Sequence, residues 1–179
     1  QEVILVPPHD VDRVRQVLEG DGDVAAVMIE PIGSNSGKIP ATGATLRQLQ
    51  EVTRRNGALL IFDEIATGFR FCQGGIDSYL GVAPDLACFG KAMGNGMPIS
   101  AIVGPAEHMR VFDELFYSFT FGGECLSLAA SIATIREMQE RDVFPHAWEL
   151  GARLADGYNR MVWDMGLQAH TQCIGLAPR

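Results

Sequence analysis

Two kinds of apolar pattern alternate along this chain. Residues 24–29 (VAAVMI) and 58–62 (ALLIF) are unbroken apolar runs, each followed by a carboxylate, Glu30 and Asp63. Runs of this length without polar alternation predict strands buried in a sheet, over 24–31 and 58–65. Shorter runs predict further strands over residues 2–6, 85–90 and 100–104. Between them apolar residues recur at helical spacing. Residues 10–20 place Val11, Val14 and Leu18 on one face behind Asp10 as N-cap, and residues 45–57 do the same with Leu46, Leu49 and Val52 before Gly57. Two more helices are expected, from 126 to about 140 and from 145 to about 165.

Strands separated by helical segments define an α/β fold, a mostly parallel sheet with helices on both faces. The last two strands lie so close together that their pairing is open between parallel and antiparallel.

Composition narrows the class without changing this picture. The 179 residues are 47% hydrophobic and 20% charged, which describes a globular protein. A net charge of −8 and the lack of any basic cluster argue against a nucleic-acid partner. No apolar run reaches the length of a membrane-spanning helix. Cysteines at 72, 88, 125 and 173 form no CxxC pair and are expected to be reduced, as in a cytoplasmic protein. The chain begins at Gln1 and stops at Arg179 in what reads as the start of a strand, so both ends are expected to be cuts through a longer protein.

The chemistry lies at the ends of the strands. Glu30, Asp63 and Lys91 each follow a buried strand, and ligands of open α/β sheets bind outside the carboxyl ends of their strands. Glu30 alone is best read as a structural strand end. Lys91 is different, because the chain has only two lysines, Lys38 and Lys91, against twelve arginines. A lysine in a buried glycine-rich turn (FGKAMGNG) is expected to be desolvated and therefore nucleophilic, the condition for a Schiff base. A lysine Schiff base is most useful with an electron-sink carbonyl compound, of which pyridoxal phosphate is the common one. Its pyridine nitrogen needs a carboxylate partner, a role open to Asp63. Residues 61, 63 and 65 share a strand face, so Ile65 can form an apolar floor beneath the ring.

Competing motifs fail. A phosphate-binding loop ending at Lys91 needs Gly at 85 and Ser or Thr at 92, where the chain has Asp85 and Ala92. The run from Gly94 has Ile99 where a dinucleotide fingerprint needs its last glycine, and Gly33–Gly37 is centred on Asn35 rather than a nucleophilic serine. The four histidines show no metal-ligand spacing, and no metal is expected.

The stretch IFDEIATGFRFCQGGIDSYLGVAPDLACFGKAMGNGMP closely resembles the cofactor signature of class III pyridoxal-phosphate-dependent aminotransferases. IEPIGSNSG and TGFR are similar to the glutamate-1-semialdehyde aminomutase branch. The resemblance implies the large domain of the fold type I (aspartate aminotransferase-like) transferases. Residues 1–165 would be the central part of that domain and 166–179 the start of a truncated small domain. It makes Lys91 the lysine that carries the cofactor, Asp63 the partner of its ring nitrogen and Ile65 the ring-packing residue. It also implies that Asn35 bonds the cofactor's phenolic oxygen, and that Thr120 reaches the cofactor phosphate of the other subunit of a homodimer. The substrates implied are a small amino donor and a carbonyl acceptor. FGGECLSLAA departs from the Ser-Gly-Asn-Pro stretch of the aminomutases, which favours a neighbouring aminotransferase over the aminomutase itself. The family's phosphate-cradling loop and ring-stacking aromatic are expected upstream of Gln1. An isolated piece that is inactive by itself is the remaining alternative.

Overall fold

The structure, a computed structural model, describes residues 3–20, 22–32 and 41–171, with the backbone of 173–174 and 177–178. In chain order the elements are α1 (Val11–Gly20), β1 (Ala26–Ile29), α2 (Gly43–Arg55), β2 (Leu59–Glu64), α3 (Asp77–Leu80), β3 (Leu86–Phe89), β4 (Ala101–Val103), α4 (Ala106–Met109), α5 (Cys125–Arg141), α6 (Val143–Asp164), β5 (Cys173–Ile174) and β6 (Ala177–Pro178). Short 3-10 turns follow β3 (Lys91–Gly94) and α4 (Arg110–Asp113).

The helices begin where side chains satisfy their free amides. Asp10 Oδ1 accepts from Arg13 N at 2.9 Å, as the N-cap reading expects. The second helix starts at Gly43 rather than 45, because Thr42 Oγ1 caps it by accepting from Thr45 N at 3.1 Å. Glu124 caps α5, its two oxygens accepting from Leu126 N and Ser127 N, both at 2.7 Å. The final long helix starts two residues before Pro145, which its first turn tolerates since that amide needs no helical partner.

Strands β1 to β4 form one sheet in chain order. The first three run parallel, with Ile29 beside Phe62 and Glu64 beside Phe89. The fourth returns antiparallel to β3, pairing Cys88 with Ile102, which settles the open pairing. At the foot of β2 and β3, Asp85 N donates to Leu60 O at 2.8 Å and its Oδ2 accepts from Leu60 N at 2.7 Å. Asp85→Ala leaves that amide without its acceptor. Unfolding in urea should show about 1–3 kcal/mol lost.

Coverage of the sheet is uneven. Leu60, Phe62 and Glu64 are buried on one face, in a core shared with Val11, Val14, Leu18, Leu46, Leu49 and Val52 of the first two helices. The alternate residues Leu59, Ile61 and Asp63 are only half-buried, and Met28 is 61% exposed. The strand expected over residues 2–6 does not form in its described part, 3–6. A strand needs a neighbour for its backbone groups, none pairs here, and Leu5 is 90% exposed.

The other helices attach to loops. Trp148 of α6 donates from Nε1 to Phe71 O at 3.0 Å and packs edge-on against the Phe71 ring. The β5–β6 hairpin lies against α6, and Asn159 exchanges two 2.9 Å hydrogen bonds with the Thr171 backbone. No helix among the described residues is long and apolar enough to cross a membrane.

Candidate active site

Because β1, β2 and β3 run the same way, Glu30, Asp63 and Lys91 fall at one rim of the sheet. Asp63 stands on the less covered face. Its Oδ1 accepts from Ile65 N at 3.0 Å, while Oδ2 has no donor among the described residues. Asp63 and Cys88 are partners in the ladder, where adjacent side chains share a face. The Cys88 thiol is pushed up first by burial and then by the Asp63 carboxylate beside it. Among the described residues Asp63 and Lys91 form no ion pair with one another, so the carboxylate's second oxygen remains available.

Ile65 connects the two. Its side chain is 39% exposed and leans over Gly90, whose missing Cβ would lie 3.6 Å from Ile65 Cγ2. Lys91 comes next, with φ +38°, a backbone region that side chains other than glycine rarely adopt. Such strain persists only where surrounding packing imposes it. Here α5 packs against the turn, and its buried residues are the small Ser127 and Ser131. The turn is buried at Met93 and Gly94, as expected, but Lys91 itself is exposed. The desolvation expected from the glycine-rich sequence is therefore absent, because no described residue encloses the side chain at the open face.

The other expected positions stand apart. Thr120 is exposed in the turn before α5 and makes no hydrogen bond with the described residues. Asn35 and the second lysine, Lys38, lie outside the described residues.

Sequence reasoning missed Glu64. It is 1% exposed, and it accepts from Thr67 Oγ1 at 2.5 Å and from Ile76 N at 2.7 Å. The available signal was the strand period, which puts residue 64 on the inward face with 60 and 62. Burial pushes its carboxyl above the usual range, and the hydrogen bonds from Thr67 and Ile76 only partly offset this. As pH rises from about 4.3, an unfolded glutamate loses its proton before the native one does. The native state then binds more protons, so this residue's contribution to stability declines with pH until the native carboxyl has also ionised. Melting temperatures from pH 4 upward should fall more for the native chain than for Glu64→Gln.

Solved structures share this arrangement of strands and helices. An omega-transaminase from Sphaerobacter thermophilus superposes with a TM-score of 0.88 at 33% identity, over 97% of this chain and 41% of that one. A lysine-to-alanine variant of a glutamate-1-semialdehyde aminomutase from Pseudomonas aeruginosa PAO1, in complex with PMP, superposes with a TM-score of 0.80 at 31% identity, over 97% and 41%. The fold is that of the large domain of pyridoxal-phosphate-dependent transaminases of fold type I.

Residues 8–165 match the aminotransferase class-III family, and the chain belongs to it. A glutamate-1-semialdehyde 2,1-aminomutase from Thermomicrobium roseum is 35% identical over 98% of this chain. The chain spans 42% of that relative's length.

The residues present fit pyridoxal phosphate, the cofactor of the family. A carboxylate with one oxygen available, an apolar side chain beside it and an amine just beyond stand at one strand rim. The absent Cβ of Gly90 leaves room under Ile65 that any larger residue would occupy.

Proposed function

We propose that this chain carries the cofactor-binding centre of a class III aminotransferase, which moves an amino group from a small amino donor to a keto acid or aldehyde. The observation that carries this reading is Ile65 seated over Gly90, linking Asp63 on one strand end to Lys91 on the next. Lys91 Nζ would anchor the cofactor, and Asp63 would hold a proton at its ring nitrogen. Ile65 would pack on the ring and exclude water from that side. Bound there, the cofactor supplies an electron sink for the pair left when a proton leaves the substrate's Cα. Lys91 Nζ, freed by the incoming amine, would take that proton and act as general acid and base. Thr120, across the interface of a homodimer, and Asn35 would complete the cofactor's polar contacts. Residues 166–179 would open a second, smaller domain, and the protein would work in the cytoplasm.

The aminomutase reading, in which donor and acceptor positions lie on one molecule, uses the same residues. It is supported by the 35% identity to the Thermomicrobium roseum aminomutase. Turnover of glutamate 1-semialdehyde with no added acceptor would favour it, whereas a strict need for a second carbonyl substrate would favour intermolecular transfer.

The deciding experiment adds pyridoxal phosphate, records the visible spectrum, reduces with borohydride and maps the modified peptide. A cofactor band with label on Lys91 and none on Lys38 is the expected result. Label on Lys38 alone would overturn the assignment.

A further inference from the structure

The loop after β2 is tied to a single buried side chain. Glu64 Oε1 accepts from Ile76 N at 2.7 Å, at the loop's far end, and Oε2 accepts from Thr67 Oγ1 at 2.5 Å, near its start. Its own carbonyl accepts from Gly68 N at 2.8 Å. The backbone closes tightly around this carboxyl. A Cβ on Gly75 would come within 2.9 Å of Glu64 Oε1, and one on Gly68 within 2.8 Å of Glu64 O and 2.5 Å of Phe89 Cδ1. Glu64 and Ile76 are each 1% exposed, so water cannot replace these partners.

We infer that Glu64 is a positioning residue for the site, pinning both ends of the loop and thereby fixing how Asp63 and Ile65 face the opposite side. Strand geometry supplies the connection. Within β2 successive side chains point to opposite faces, so anchoring residue 64 inward directs 63 outward. Ile65, the first residue of the turn that follows, is held next to it with its side chain over Gly90. The Asp63 Oδ1 bond to Ile65 N, at 3.0 Å, spans Glu64 and depends on its backbone staying in place. An apolar residue at 64 would leave the Ile76 amide buried without an acceptor, and the loop would have to open to hydrate it. Glutamine would keep the bond, since its carbonyl can accept from Ile76 N while its amide donates to the Thr67 hydroxyl.

The inference rests on the proposed cofactor site for its consequence, but the orientation can be read without cofactor. Amide hydrogen exchange and the Ile65 δ-methyl NMR signal would be measured in the wild-type chain, Glu64→Leu, Glu64→Gln and Thr67→Val, with core amides such as Leu60 as the control for global folding. The expected result is at least a tenfold loss of protection at the Ile65 amide, which Glu64 does not itself bond, together with a displaced methyl signal in Glu64→Leu. Thr67→Val should move both in the same direction by less, and Glu64→Gln should restore them. Borohydride-fixed labelling of Lys91 by pyridoxal phosphate should then fall at least tenfold in Glu64→Leu and recover in Glu64→Gln. Opening at Ile76 with Ile65 unchanged would overturn the positioning role. If Glu64→Leu does not fold, an unchanged Ile65 in Thr67→Val would do the same. A wild-type chain labelled elsewhere than Lys91 would sink the cofactor reading while leaving the exchange result to be judged by itself.

Discussion

On the proposed reading, Lys91→Arg should abolish borohydride-fixed labelling by pyridoxal phosphate and lower whatever transamination the chain supports by about 10²–10⁴-fold or more. Arginine keeps the charge and most of the length, but its guanidinium does not deprotonate in proteins and so offers no nucleophilic nitrogen. It equally cannot accept the proton from the substrate's Cα. Structural damage is a poor explanation for such a loss, because the Lys91 side chain is exposed and forms no ion pair among the described residues. The melting temperature of the variant should therefore match that of the wild type. Retention of labelling would mean that Lys91 is only a surface residue in a strained turn and does not carry the cofactor.

The second large effect is expected at Asp63. Asp63→Asn keeps the Oδ1 acceptor that Ile65 N uses at 3.0 Å, so the local turn should survive. What disappears is the negative charge that, on the proposed reading, would face the cofactor's protonated ring nitrogen. Asp63 is half-buried here, and a bound ring would cover it. Removing one partner of the ion pair so enclosed would then cost up to about 3–5 kcal/mol, which in a transition state corresponds to as much as roughly 10²–10⁴-fold in turnover. Steady-state kinetics with saturating pyridoxal phosphate would read this directly, and thermal denaturation would show whether the fold is unchanged. Wild-type turnover in Asp63→Asn would remove Asp63 from the chemistry. The Cys88 thiol is a second reporter, since the neighbouring carboxylate helps to push it up. It should ionise at lower pH in Asp63→Asn, measurable from the pH dependence of its alkylation.

How much of this could be read beforehand differs from element to element. The helix faces Val11/Val14/Leu18 and Leu46/Leu49/Val52 are buried as their spacing predicts, because a helical repeat records one face within a few turns of chain. The starts of helices were less legible. Thr42 and Glu124 act as caps only because local backbone geometry brings their oxygens to free amides. A glutamate in that place looks like any other surface charge. Residues 3–6 have strand-like composition but no strand, since composition does not supply a neighbour.

The site divides in the same way. By itself the sequence determined the residue types and their order: a carboxylate one residue before the end of β2, an isoleucine two positions on, and a rare lysine after β3. Those are properties of the local chain, and strand alternation already assigns Asp63 and Ile65 to one face. Tertiary structure alone decided that Ile65 lies over Gly90 and that Lys91 takes a strained backbone against α5 while its side chain stays exposed. It also decided that Glu64, unremarkable in sequence beside Asp63, is the buried acid holding the loop. The physical reason is that burial and hydrogen-bond satisfaction depend on partners distant along the chain, here Ile76 and Phe89 for Glu64, and only folding brings those partners within reach.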